Sequence, residues 1–146
     1  MIGEIRQIGL VYKDLTEPVE NFKKIFGLEK LDILDAKIKK NMFKEKIENP
    51  IKLRFALTMI GNTQVEFIQP LEGKTAYDSF LEKGGKGIHH LGIYTDKFEE
   101  KVKELESKGI KQIWNGIVVG IRFAYFDTTD LLGYVLELIE VKRKKT

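Results

Sequence analysis

Apolar positions alternate, then recur at helical spacing, then alternate again, and this order runs twice along the chain. Ile5 to Tyr12 is rich in strand-forming residues and predicts a first strand. Asp14, Leu15 and Thr16 turn the chain into a helix, with Thr16 preferred over Asp14 as its cap. That choice leaves Pro18 in the first turn, where a missing N–H does little harm. Val19, Phe22, Ile25 and Phe26 give the helix one apolar stripe, and Gly27 ends it. A second strand is predicted over 28–35, followed by a polar, basic connection over 37–50. Residues 52–59 alternate, with Leu53, Phe55, Leu57 and Met59 against Lys52, Arg54 and Thr58. Gly61-Asn62 is a hairpin turn, 63–69 a fourth strand, and Pro70 its stop.

The order then restarts. Residues 72–83 predict a joining helix with Tyr77, Phe80 and Leu81 on its apolar face. Gly84, Gly85 and Gly87 return the chain to a strand over 88–95. Asp96 and Glu99 form a capping box for a helix that buries Val102 and Leu105 and ends at Gly109. A short strand over 111–114, a turn at Asn115-Gly116, and strands over 121–127 and 134–141 complete the set. Each half reads β-α-β-β-β. Neither is large enough to be a comfortable domain alone, so the two are expected to share one sheet. The reading is a single α+β domain spanning 1–146, with module one at 3–71, a linker helix at 72–86 and module two at 87–142.

The two halves are copies in detail. Gln7-Ile8-Gly9-Leu10 returns as His90-Leu91-Gly92-Ile93, 83 positions later. At the same offset Leu15, Val19 and Phe22 return as Phe98, Val102 and Leu105. Val65-Glu66-Phe67-Ile68 matches Leu136-Glu137-Leu138-Ile139. Gln7 and His90 are therefore counterparts, as are Glu66 and Glu137. A module with one ligand-type residue on its first strand and another on its last brings four together about a pseudo-twofold axis. Each alone, in a half-exposed strand, reads as a solvent-facing or rim residue. The repeat is what groups them. An imidazole, two carboxylates and an amide oxygen form a mixed set suited to zinc, nickel, cobalt or manganese. His89 is expected to project away from His90. With no other histidine in the chain, a two-histidine iron oxygenase site is disfavoured.

Composition narrows the class. The 146 residues are 42% hydrophobic and 32% charged, as expected of a soluble globular chain. No apolar run reaches the roughly 20 residues of a membrane helix, and the N-terminus does not read as a signal peptide. The absence of cysteine excludes disulfides and thiolate chemistry, and a cytoplasmic setting is expected. A net charge of +3 is too balanced to argue for nucleic acid. Two basic clusters, Lys37-Ile38-Lys39-Lys40 and the tail Lys142-Arg143-Lys144-Lys145, read as a solvated loop and a chain end. With Arg54, the first is also a candidate approach for an anionic substrate. Trp114, Phe123, Tyr125 and Tyr94 read as core or sheet-face aromatics, with lining a cavity as the alternative.

Several segments resemble the vicinal oxygen chelate superfamily, which includes glyoxalase I, methylmalonyl-CoA epimerase, extradiol dioxygenases and bleomycin-resistance proteins. They are Gln7-Ile8-Gly9-Leu10 with Lys13-Asp14-Leu15, Phe26-Gly27-Leu28, and Gln64 through Leu71. Phe80-Leu81-Glu82, Gly87 through Gly92, Phe123 through Thr128 and Leu136 through Glu140 complete the likeness. The surrounding sequence is most similar to the epimerase branch, and the Gln/Glu/His/Glu set to zinc-type glyoxalase I. The resemblance implies a curved mixed sheet enclosing a cavity. It implies one divalent ion held by Gln7, Glu66, His90 and Glu137, and usually a homodimer. It also implies removal of a proton next to a carbonyl, with an enolate stabilised on the metal. Glu137 would be the base and Glu48 the second proton carrier. The substrate would be an acyl-CoA thioester or, in a lactoylglutathione-lyase-type enzyme, a thiol hemithioacetal. A non-catalytic binding protein of the bleomycin-resistance type is the third reading.

Overall fold

The computed structural model describes residues 1–142, so Arg143, Lys144 and Lys145 of the basic tail lie outside the described residues. Its strands are β1 (Glu4–Val11), β2 (Leu34–Ile38), β3 (Asn41–Phe43), β4 (Lys46–Glu48), β5 (Ile51–Ile60), β6 (Thr63–Glu72), β7 (Gly87–Thr95), β8 (Gln112–Val118), β9 (Ile121–Phe126) and β10 (Val135–Glu140). Its helices are α1 (Thr16–Phe26), α2 (Asp78–Glu82), α3 (Phe98–Ser107) and α4 (Thr129–Leu132). All strands join one sheet in the order β2-β5-β6-β1-β7-β10-β9-β8-β3-β4. The first four strands of that order and the next four are mirror images in sequence, which is the duplication seen in space. β1 and β7 pair antiparallel at the centre, and each pairs parallel with the last strand of its own module. The sheet curls far enough for β2 to approach β8.

Both faces are covered. On the outer face α1 packs Leu15 and Val19 against Val65 and Phe67 of β6. In the second module α3 packs Phe98 and Leu105 against Ala124, Phe126, Leu136 and Leu138. Strand alternation then turns Glu66 and Glu137 to the concave side, where Tyr77, Trp114, Phe123 and Tyr125 form the core. Trp114, Phe123 and Tyr125 are core residues, and Tyr94 is half-buried.

Local differences from the sequence reading have identifiable causes. Residues 28–33 are irregular, and the second strand begins at Leu34. Residues 37–50 are not one connection. They hold the β3–β4 hairpin, which adds to the far module by pairing with β8. Its turn uses Lys44 and Glu45 with φ of 49° and 67° instead of the Asn-Gly that signals such turns. Asn115-Gly116 is no turn but the middle of β8. Gly116 lies beside β3, and a Cβ there would fall 2.8 Å from the Lys40 carbonyl oxygen. The chain reverses instead at Val119-Gly120, both with positive φ. Pro70 stays inside β6, because β1 has stopped pairing at Ile68 and no ladder bond is lost on that side. The joining helix shrinks to 78–82. Asp78 accepts hydrogen bonds from Thr75 N–H (2.9 Å) and Oγ1–H (2.7 Å) and so holds the turn before it. Thr16 is not the cap of α1: the cap position falls on Leu15, without a side-chain cap bond, and Asp14 accepts from Thr16 N–H at 2.9 Å just ahead of it. Ile25 and Phe26 of the expected stripe are exposed. Glu99 ion-pairs with Arg122, and Lys97 at the start of α3 makes no side-chain cap bond.

Candidate metal centre

The central strands carry two rows of residues that are reciprocal. In one, Leu57, Glu66, Gly9, His90 and Val135 stand side by side across β5, β6, β1, β7 and β10. In the other, Tyr125, Glu137, Gly92, Gln7 and Gln64 stand across β9, β10, β7, β1 and β6. Each row has a glutamate, a glycine and a residue of the opposite module. The glycine is the space into which the facing side chain folds. A Cβ at Gly9 would lie 1.9 Å from His90 Cε1, and one at Gly92 would lie 2.8 Å from Gln7 Oε1. The repeated spacing of Gln7 to Gly9 and of His90 to Gly92 therefore has a steric reason. Each module supplies a side chain and the gap for its partner's.

Glu66, His90 and Glu137 converge, with their ligand-capable atoms within 4.8 Å of one another. His90 Nε2 lies 3.1 Å from Glu137 Oε2 and 3.9 Å from Glu66 Oε1. His90 is fully buried, and the Glu137 and Glu66 side chains are 9% and 21% exposed. Neither carboxylate has a lysine or arginine partner among the described residues. Burial holds both carboxyls up at about 8, with mutual repulsion adding to Glu66 and a Tyr125 hydrogen bond opposing the rise at Glu137. Burial pushes the His90 ring down to about 3. The cluster thus holds acceptors without a cation. Glu137 Oε2 has no hydrogen-bond partner despite its 3.1 Å approach to His90, and Gln7 Oε1 is likewise buried and unpartnered. Orphaned buried oxygens beside an imidazole are what a divalent ion would satisfy, so the side chains present fit one.

Gln7 is oriented by Gln64, which sequence reasoning did not single out as a site residue, and through it by Tyr94, read there as a core or sheet-face aromatic. Its amide Nε2–H donates to Gln64 Oε1 at 2.7 Å, and the Tyr94 hydroxyl donates to the same oxygen at 2.9 Å. This leaves Gln7 Oε1 over Gly92, between β1 and Glu137. Gln64 lies two residues before Glu66 on the same face of β6, a spacing that would have flagged it. Tyr77 was read only as part of an apolar helix face. Its hydroxyl lies 2.6 Å from that of Tyr125, which itself lies 3.5 Å from His90 Nε2. Burial keeps both phenols protonated, and the two carboxylates reinforce this.

The expected orientation of His89 is corrected. Register passes from Gly9 opposite His90 to Leu10 opposite Ile88, so His89 is the extra residue of a β-bulge. The bulge breaks alternation and brings both rings inside, with His89 Nδ1 3.0 Å from His90 Nδ1. The carboxylate cluster still contains one imidazole. Glu48 is not part of it. This residue lies in the wall of a cavity of about 830 Å³ that also includes His89, Phe43, Lys46 and Lys74. The basic residues of the loop reading disperse. Arg54 pairs with Asp35 at 2.9 Å, while Lys39 and Lys40 line a groove beside β8 and α3.

Comparison with known proteins places this arrangement. A family model described as Glyoxalase/Bleomycin resistance protein/Dioxygenase superfamily matches residues 6–126. The chain is 22% identical over 141 residues to the mitochondrial methylmalonyl-CoA epimerase of Homo sapiens, covering 94% of this chain and 73% of that protein. It is 27% identical over 94 residues to the uncharacterized protein YqjC of Bacillus subtilis (strain 168), covering 62% and 67%. A Streptomyces coelicolor methylmalonyl-CoA epimerase variant, solved with 2-nitronate-propionyl-CoA, superposes with a TM-score of 0.68 at 17% identity over 100% of this chain and 99% of that one. The epimerase from Mycobacterium tuberculosis gives 0.67 at 18%, over 95% and 88%. The structural likeness establishes the fold. No described helix is long and apolar enough to cross a membrane.

Proposed function

The chain belongs to the glyoxalase/bleomycin resistance protein/dioxygenase superfamily, and from that premise we propose that it is a divalent-metal-dependent isomerase that moves the proton next to a carbonyl, with a 2-acyl coenzyme A thioester of the methylmalonyl-CoA kind as substrate. The observation that carries this is the pair of reciprocal rows, which gathers two uncompensated carboxylates, one imidazole and one orphaned amide oxygen at the junction of the modules. Gln7, Glu66, His90 and Glu137 would hold the ion. When bound, such an ion supplies Lewis acidity toward a substrate oxygen.

The remaining roles belong to this chain. Glu137 is the base, a ligand that swings away from the ion's position to take the proton on its carboxylate. Tyr125 favours the ionised form of Glu137 by donating to it. Tyr77 and Tyr125, buried with their hydroxyls 2.6 Å apart, wall the carboxylates on one side. Glu48 is the second proton carrier, reaching the substrate through the cavity it lines with His89. The homodimer implied by the resemblance belongs to the same proposal.

A glyoxalase-type lyase acting on a thiol hemithioacetal is the second reading. The neutral amide at position 7, held carbonyl-inward by Gln64, favours it. Metal analysis of the purified protein, then NMR in deuterated water with methylmalonyl-CoA, tests the first. Metal-dependent loss of the substrate's exchangeable C–H signal supports it. Product from methylglyoxal plus a thiol, without such exchange, moves the assignment to the lyase. Failure to bind a stoichiometric divalent ion removes both and leaves a binding protein.

A further inference from the structure

We propose that His89 is a positioning residue that accepts a hydrogen bond from His90 Nδ1–H and so fixes His90 in the tautomer whose Nε2 is bare toward Glu66 and Glu137. The inference rests on the reading of His90 as a donor to an ion, but the proton count behind it is independent of any ion. Both rings are buried, and neither faces an acidic partner on the Nδ1 side, so each is neutral and carries one ring proton. Two Nδ1 atoms 3.0 Å apart need one proton between them. The His89 ring also hydrogen-bonds to the backbone of Ala76, in the sense that favours a protonated ring nitrogen, so the carbonyl is the acceptor. Nδ1 is engaged with His90, which leaves Nε2–H of His89 to serve Ala76. His89 has then used its single proton, and His90 must donate.

The fold holds this chain of donors rigidly. The bulge at His89 turns its ring inward beside His90. Tyr77, just before α2, and Phe80, in its middle, meet that ring edge-on at 5.3 Å and 5.1 Å, and Ala76 lies one residue ahead of Tyr77. The segment between the modules therefore reaches the cluster through His89 and decides which His90 nitrogen is free. A ligating imidazole needs its second nitrogen engaged in this way, and removing such a partner typically lowers metal affinity about 10- to 100-fold.

The test is a two-bond ¹⁵N–¹H NMR spectrum of metal-free protein labelled at histidine. The chain has two histidines, so the His89→Asn variant assigns both. The expected result is His90 protonated at Nδ1 and His89 at Nε2. His90 protonated at Nε2, or His89 at Nδ1, overturns the proposal, and neither result requires the protein to bind metal or turn over. Isothermal titration with Zn²⁺ or Co²⁺ adds a second reading. Affinity should fall at least about tenfold in His89→Phe. In His89→Asn, whose amide oxygen can stand in for Nδ1, part of it should return. Equal affinity in wild type and His89→Phe also overturns it. If wild type binds no ion, the functional proposal fails while the spectrum still decides the tautomer.

Discussion

Gly9→Ala puts the row geometry to its most direct test. The added methyl carbon would lie 1.9 Å from His90 Cε1, 2.1 Å from Nε2 and 2.4 Å from Nδ1. Non-bonded carbon atoms rest about 3.5–4.0 Å apart, so the ring must retreat by roughly 1.5 Å or the central strands must part. Retreat is opposed by His89, 3.0 Å away between the Nδ1 atoms, and by the Tyr125 ring, edge-on at 5.0 Å. Overpacking of this kind costs about 1–3 kcal/mol. An ångström of displacement far exceeds the about 0.2 Å tolerance of a metal–ligand bond, and misplacement on that scale lowers turnover about a hundredfold. Gly27→Ala is the control. Gly27 ends α1 at φ 68° with nothing within 4 Å of the built Cβ, so the change strains the backbone far from the cluster. Thermal melts and Co²⁺ titration of both variants are the assay. Both should lose stability, and Gly9→Ala alone should lose the metal. A folded Gly9→Ala protein that binds Co²⁺ as tightly as Gly27→Ala would refute the role given to the rows. Gly92→Ala presses on Gln7 at 2.7–2.8 Å and should weaken binding less, because Gln7 is a flexible neutral donor.

Three further outcomes are expected. In metal-free protein the Glu66–Glu137 pair holds protons up to about pH 8, against about 4.3 for a free glutamate, so the folded state binds more protons than the unfolded one in that window. Stability should fall as pH rises, by about 1.4 kcal/mol per unit for each proton retained. From about pH 7.5 to 8 the histidines, lowered to about 3 in the folded state and deprotonated by then in the unfolded one, add little opposing slope, and a melting temperature that rises there would contradict the pair's assignment. Tyr125→Phe removes a hydrogen bond that favours ionised Glu137, so metal binding should shift to higher pH, as titrations at pH 6.5 and 8.5 would show. Glu48→Gln should leave metal affinity unchanged and lower interconversion of the two substrate configurations, measured by optical rotation, more than it lowers deuterium exchange. Equal activity would remove Glu48 from the mechanism.

The duplication made the centre legible. Glu66 and Glu137 were placed by their matched modules, and the pairing of Gln7 with Gly92 and His90 with Gly9 follows from that match. What stayed hidden lay where the modules differ. The β3–β4 hairpin occurs only in the first, and its turn at Lys44-Glu45 carries no glycine. Alternation assigned His89 to the wrong face because a bulge is a register event between two strands, and a single strand's pattern does not contain it. Asn115-Gly116 read as a turn because glycine marks both reversal and close approach, and only the neighbouring β3 decides between them.

The differences also explain why a symmetric scaffold can hold an asymmetric site. The pseudo-twofold relates Gln64 to Val135, Leu57 to Tyr125 and Gln7 to His90 across the two rows. Gln64 engages the Gln7 amide, whereas its counterpart beside His90 is the apolar Val135, and the ring nitrogen there is engaged by His89 instead. Tyr125 reaches Glu137, whereas Leu57 offers no hydrogen bond to Glu66. Glu137 therefore has a group that stabilises its charge, while Glu66 has only burial and the repulsion of its counterpart. Two glutamates that are equivalent by descent thus sit in inequivalent surroundings, although burial holds both carboxyls up at about 8. The phenol beside Glu137 favours its ionised, proton-accepting form, which fits Glu137 as the base and Glu66 as the fixed ligand, and it predicts that Glu66→Gln weakens metal binding with less loss of exchange per bound ion than Glu137→Gln.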